Sequence, residues 1–87
     1  MKSARELFEE LGYEEITEVV SLSCVKCYIN YKSLNIIYFD YDKTVEKHAG
    51  EAGFSHKYYR VHINSKELQA INKQVEELGW NKWYITL

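Results

Sequence analysis

Cys24-Val25-Lys26-Cys27 is the pair of soft ligands in this chain, and its spacing is that of many metal and redox sites. A CxxC holds a tetrahedral ion when a tight turn aims both thiolates at one point and a second ligand pair follows at a suitable distance. Here no Gly or Pro follows Cys27. In an extended chain, residues three apart point to opposite faces of a sheet, so the two sulfurs are expected to diverge. His56 and His62 have the spacing of some zinc fingers, but they fall in a strand-like run far from the cysteines. A redox CxxC needs a helix start to depress the thiol pKa, and Tyr28-Ile29-Asn30-Tyr31 reads as strand. The expectation is two packing thiols, with no metal and no cofactor.

His48, His56 and His62 with Asp40, Asp42 and Glu46 are the residue types of a general acid-base or metal-assisted hydrolase. Alternate positions such as His56, Tyr58, Arg60 and His62 would share one face of a strand, but no recognised spacing fixes their geometry. Solvated side chains on an open sheet account for them equally, and the expectation is a protein that is not an enzyme.

The elements that would position these groups are well marked. Ser3 with Glu6 reads as a capping box, and Ala4, Leu7, Phe8 and Leu11 recur at helical spacing, which predicts a helix over residues 4–11. Asn64 with Glu67 caps a second helix over residues 65–78, whose stripe is Leu68, Ile71, Val75 and Leu78. Both end on the same phrase, Glu-Glu-Leu-Gly-aromatic, at Gly12-Tyr13 and Gly79-Trp80. A Gly in the left-handed conformation stops the helix, and the residue after it packs back on C3, here Phe8 and Val75. Between the helices the period changes to two. Strands are predicted around Val25–Tyr31, Leu34–Tyr41, Val45–Ala49 and His56–Ile63, joined by turns at Lys32–Asn35, Tyr41–Thr44 and Gly50–Gly53. Residues 14–21 alternate weakly and fit either an edge strand or an irregular lead-in. The apolar tail Trp83, Ile85, Leu87 reads as a short terminal strand that must dock on an edge of its own sheet or of a second copy. The fold class is therefore α+β: N-terminal helix, four-stranded antiparallel meander, C-terminal helix, both helices on one face.

An 87-residue chain with a net charge of −2 and 46% hydrophobic residues is expected to make one domain, over residues 1–87, that folds without disulfides or metal. The opening Met1-Lys2-Ser3-Ala4-Arg5-Glu6 carries no apolar signal-like run, and no stretch is long and apolar enough to span a membrane, so a cytoplasmic protein is expected. Eight Tyr in so short a chain is a large share, and each buried one needs a partner for its hydroxyl. Placing Val25, Cys27, Ile29, Ile37, Phe39, Val45, Tyr59, Val61 and Ile63 inward leaves the other face aromatic and basic. Lys26, Tyr28, Tyr38, Tyr58, Arg60 and His62 on that face make a candidate interaction surface. Tyr and Arg anchor protein interfaces because they bury large area at small entropic cost, which points to a protein partner or to self-association. The alternative is a nucleic-acid-binding module that stacks bases on the Tyr rings and meets phosphates with Lys and Arg, although the chain is net acidic.

Three stretches taken together resemble small uncharacterised proteins encoded by phages and prophages of low-GC Gram-positive bacteria. They are Ala4-Arg5-Glu6-Leu7-Phe8-Glu9-Glu10-Leu11-Gly12-Tyr13, the strand pair around Ile36-Ile37-Tyr38-Phe39-Asp40 and Lys43-Thr44-Val45, and Glu67 through Trp80. The resemblance implies an accessory protein that acts by contacting another protein, and it brings no catalytic or binding residues with it.

Overall fold

The computed structural model describes residues 1–17, 24–49 and 62–86. Helix α1 (Ala4–Glu10) leads into a two-residue strand β1 (Glu14–Glu15), then β2 (Cys24–Asn30), β3 (Asn35–Asp40), β4 (Thr44–Ala49), helix α2 (Ser65–Glu77) and β5 (Tyr84–Thr86). Among the described residues the strands form one sheet in the order β1-β2-β3-β4-β5, antiparallel except that β5 runs parallel to β4. The chain is an α+β protein. The alternating tail docks on its own sheet through Tyr84–Thr86, and Glu14–Glu15 form an edge strand, residues 18–21 lying outside the described residues. The expected strand over residues 56–63 lies outside the described residues, apart from His62 and Ile63, which lead into α2 without strand structure.

Both helices are built as their cap signals require. Ser3 and Glu6 close one capping box and Asn64 and Glu67 the other, each side chain accepting from the other residue's backbone N–H. At the far ends, Gly12 (φ 89°) and Gly79 (φ 74°) are left-handed. Their N–H groups donate to Glu9 and Glu76, and those of Tyr13 and Trp80 donate to Phe8 and Val75, so each stop satisfies two orphan carbonyls. The first stop is completed by the Tyr13 ring packing edge-on to Phe8, with centroids 5.8 Å apart.

The core lies between the helices and one face of the sheet: Phe8 from α1, Ala70, Ile71 and Val75 from α2, and Tyr28, Ile37, Phe39 and Val45 from the strands. Tyr28 stacks on Phe8 at 4.0 Å and its hydroxyl donates to Gln74, so a residue expected on the outer face is core. The reason is parity. Tyr28 pairs with Ile37 and Lys26 with Phe39, so Lys26, Tyr28 and Asn30 face the helices, while Cys27 and Ile29, expected inward, face the other way. Apolar side chains on both sides of β2 leave its orientation undecided by alternation alone, and the partner for the tyrosine hydroxyl resolves it.

A buried polar hub ties these layers. Glu67 is a capping residue, yet its carboxylate also accepts from Lys47 Nζ on β4 (2.7 Å) and from the Tyr13 hydroxyl (2.6 Å). The Lys47 and Glu67 side chains are only 7% and 5% exposed. Lys47 also donates to the His62 carbonyl, which fixes the entry to α2. Alongside, the Ala4 N–H donates to Glu77, and the Asn30 side chain donates to the Leu11 carbonyl while accepting from the Lys32 and Ser33 N–H groups of the β2–β3 turn.

Replacing Glu67 with Gln leaves the Lys47 charge buried without its counterion, which should cost about 3–5 kcal/mol, a large part of a domain's margin. Urea unfolding of Glu67→Gln against the parent measures it directly. Gly79→Ala meets no atom within 4 Å but must hold a left-handed conformation, so a loss of about 1–2 kcal/mol is expected. Gly12→Ala should lose more, because its Cβ would stand 3.0 Å from the Asn30 amide nitrogen. Thermal melts of the two variants give the order.

Candidate functional site

The face of the sheet turned away from the helices carries the chemistry. Its residues follow from the pairing: Ile36, Tyr38 and Asp40 on β3, Glu46 and His48 on β4, Cys27 and Ile29 on β2. Cys24 joins them through a β-bulge. Cys24 pairs with Asp40 and Lys26 with Phe39, so two steps along β2 match one step along β3 and Val25 is the extra residue. The inserted residue reverses parity between Cys24 and Cys27, and both sulfurs come to the face of Asp40 and Tyr38. The expected divergence of the thiols is thereby corrected.

The two thiols interact with each other and with the Asp40 carboxylate. Cys27 is buried, and Cys24 is half-buried with its thiol donating to the Lys26 carbonyl. Burial raises both thiols, Cys27 to about 12, with the neighbouring Cys24 and Asp40 adding to the effect. These are protonated thiols at neutral pH, poor nucleophiles in the absence of a cation.

Asp40 is the group nearest a functional pKa. Burial raises it most, its hydrogen bond with Glu46 and the charges of Glu46 and Asp42 add to that, and together they bring it to about 7. Asp40 on β3 and Glu46 on β4 thus meet across the diagonal through a hydrogen bond, with Asp40 holding its proton up to about pH 7. His48 stands 3.8 Å from Glu46 and packs edge-on to Tyr38. Such a pair can hold or pass a proton. No group of three His, Cys, Asp or Glu among the described residues is placed to hold a metal ion.

Among the described members of the expected interaction face, Lys26 and Tyr28 do not share a side of the sheet with Tyr38. Lys26 lies on the helix side, bonded to Glu15 at 3.0 Å, and Tyr28 is in the core. Tyr38 is half-buried on the opposite side of the sheet, and His62 is exposed in the segment before α2. Tyr58 and Arg60 lie outside the described residues, as do His56, Tyr59 and Val61. Exposed aromatic surface appears elsewhere: Tyr41 and Tyr84 are 67% and 66% exposed. Tyr41 opens the three-residue β3–β4 loop, whose last residue, Lys43, is left-handed (φ 67°) as such hairpins require. Tyr84 opens β5, and its N–H donates to the Lys43 carbonyl at 2.9 Å, so loop and strand are bonded at one end of the sheet. A third exposed tyrosine, Tyr31, stands in the β2–β3 turn at the other end. The signal for Tyr41 was its place in a polar turn; that for Tyr84 was strand alternation opposite Trp83 and Ile85.

Two open depressions are lined by described residues. One, of about 510 Å³, lies beside Arg5, Glu9, Gly12, Tyr13, Glu14 and Glu15, and the other, of about 370 Å³, lies between α1 and α2 beside Lys2, Leu7, Glu10, Leu11, Lys66 and Gln69. Neither gathers a nucleophile with a base. Among the described residues no helix is long and apolar enough to cross a membrane. No family model, curated protein or solved structure matches the chain.

The Asp40–Glu46 pair makes stability depend on pH with a definite sign. Folded Asp40 keeps its proton up to about pH 7, whereas the unfolded chain releases it near the ordinary value of 3.8. The folded state therefore binds the extra proton between these values, and stability from this group is fully present below the unfolded pKa and lost as pH rises through about 7. The melting temperature should rise on going from about pH 8 to about pH 5, and Asp40→Asn should flatten that rise. A variant with the same slope as the parent would assign the effect to other groups.

Proposed function

We propose that the protein is a small non-enzymatic binding protein of the cytoplasm, of the phage-accessory kind its sequence resembles, and that it contacts another protein through the end of the sheet that carries Tyr41 and Tyr84. The observation that carries this reading is the exposure of both rings on a loop and a strand held to each other by the Lys43–Tyr84 hydrogen bond. Rings on a braced scaffold lose little entropy on binding, which is why Tyr dominates interface anchors. Lys43 and Lys82, both exposed, and Asp42 between the tyrosine and the lysine of the loop supply a polar rim. The nucleic-acid alternative is less well supported. Lys26 is engaged by Glu15, Lys47 is buried against Glu67, and Tyr28 presents no face for a base to stack on.

The test is capture from a lysate of a low-GC Gram-positive host with the immobilised chain, followed by affinity measurement on the captured protein. Tyr41→Ser and Tyr84→Ser should each weaken binding about tenfold or more, the 1.4 kcal/mol or greater of an anchoring aromatic. Tyr31→Ser, equally exposed at the opposite end, should bind as the parent does. Equal losses in all three variants, or retention only of single-stranded oligonucleotides that salt elutes steeply, would overturn the reading.

A further inference from the structure

The bulge at Val25 does more than reorient a strand, because it is what sets two thiols side by side on one face. We propose that Cys24 and Cys27 form a two-thiolate site for a soft monovalent cation of the Cu(I) class. Two observations carry the assignment. The sulfurs belong to one strand, are brought to one face of it by the bulge and interact with each other. Cys27 is 2% exposed and Cys24 half-buried, which shields a bound Cu(I) from water and oxidant. A closed tetrahedral zinc shell needs four ligands, whereas a thiolate pair suffices for a soft cation of low coordination number.

Binding forms two Cu–S bonds and releases two thiol protons to solvent; copper enters and remains as Cu(I), so no electron is transferred.

The site is independent of the Tyr41–Tyr84 surface, and its test needs no partner. The reduced full chain is titrated anaerobically with Cu(I), supplied as its acetonitrile complex, in competition with bathocuproine disulfonate. The expected result is one Cu(I) per chain, with a thiolate-to-copper ultraviolet band that saturates at one equivalent and a higher melting temperature in the loaded protein. Cys24→Ser and Cys27→Ser should each lose the band and weaken retention by roughly a hundredfold or more, above what loss of a supporting contact costs. Circular dichroism of both variants should match the parent. Absence of the band, unchanged retention in either folded variant, or tight stoichiometric Zn(II) in place of Cu(I) would overturn the proposal; if Cys27→Ser fails to fold, Cys24→Ser, at the half-buried position, decides.

Discussion

The Glu67 carboxylate is the point through which the layers of this fold are fastened. Burial alone would keep it protonated, but hydrogen bonds from Lys47, Tyr13 and the Asn64 backbone outweigh burial and hold it below the usual carboxylate range. One side chain thus closes the cap of α2, anchors that helix to β4 and fixes the residue that follows α1. A buried ion pair of this kind contributes little net stability compared with a well-packed apolar pair, because both charges must leave water. What it supplies is position. An apolar interface could slide by a helical turn at small cost, whereas a carboxylate with three donors has one place to be. Gln74, which accepts from Tyr28, and Glu77, which accepts from the Ala4 N–H, extend the same row of polar anchors along α2.

Local signals were readable in the chain and distant ones were not. The caps and stops of both helices depend on residues within a few positions, so Ser3, Glu6, Asn64, Glu67, Gly12 and Gly79 announced them correctly. Glu67 was recognised only as a cap residue, since its bonds to Lys47 and Tyr13 come from segments far away in sequence. The orientation of β2 was not readable, because Val25, Cys27, Tyr28 and Ile29 are apolar on both faces and a bulge changes parity without a glycine to mark it. Alternation alone therefore places Tyr28 and Lys26 on the outer face when they lie on the helix side, and it hides the approach of the two thiols. Tyr84 was seen as part of a docking strand, but its parallel pairing follows from α2 carrying the chain back, which no alternation pattern encodes.

The sheet therefore has two chemically different sides. The helix side holds aromatic rings whose hydroxyls all find acceptors, as with Tyr13 on Glu67 and Tyr28 on Gln74. The other side gathers thiols, carboxyls and an imidazole, and its burial and charges hold on Asp40 a proton that it would otherwise have lost. Among the described residues the exposed aromatic rings stand in turns and on β5.

The parallel pairing of β5 with β4 sets an order of assembly. Antiparallel neighbours β2, β3 and β4 are joined by short turns and can pair as soon as those residues meet. β5 meets β4 only after the chain has passed through α2, so its hydrogen bonds close a longer loop than those of the other strand pairs and carry a greater entropic cost. The surface around Tyr84 therefore depends on α2 returning the chain to β4, and not on the neighbouring turn alone.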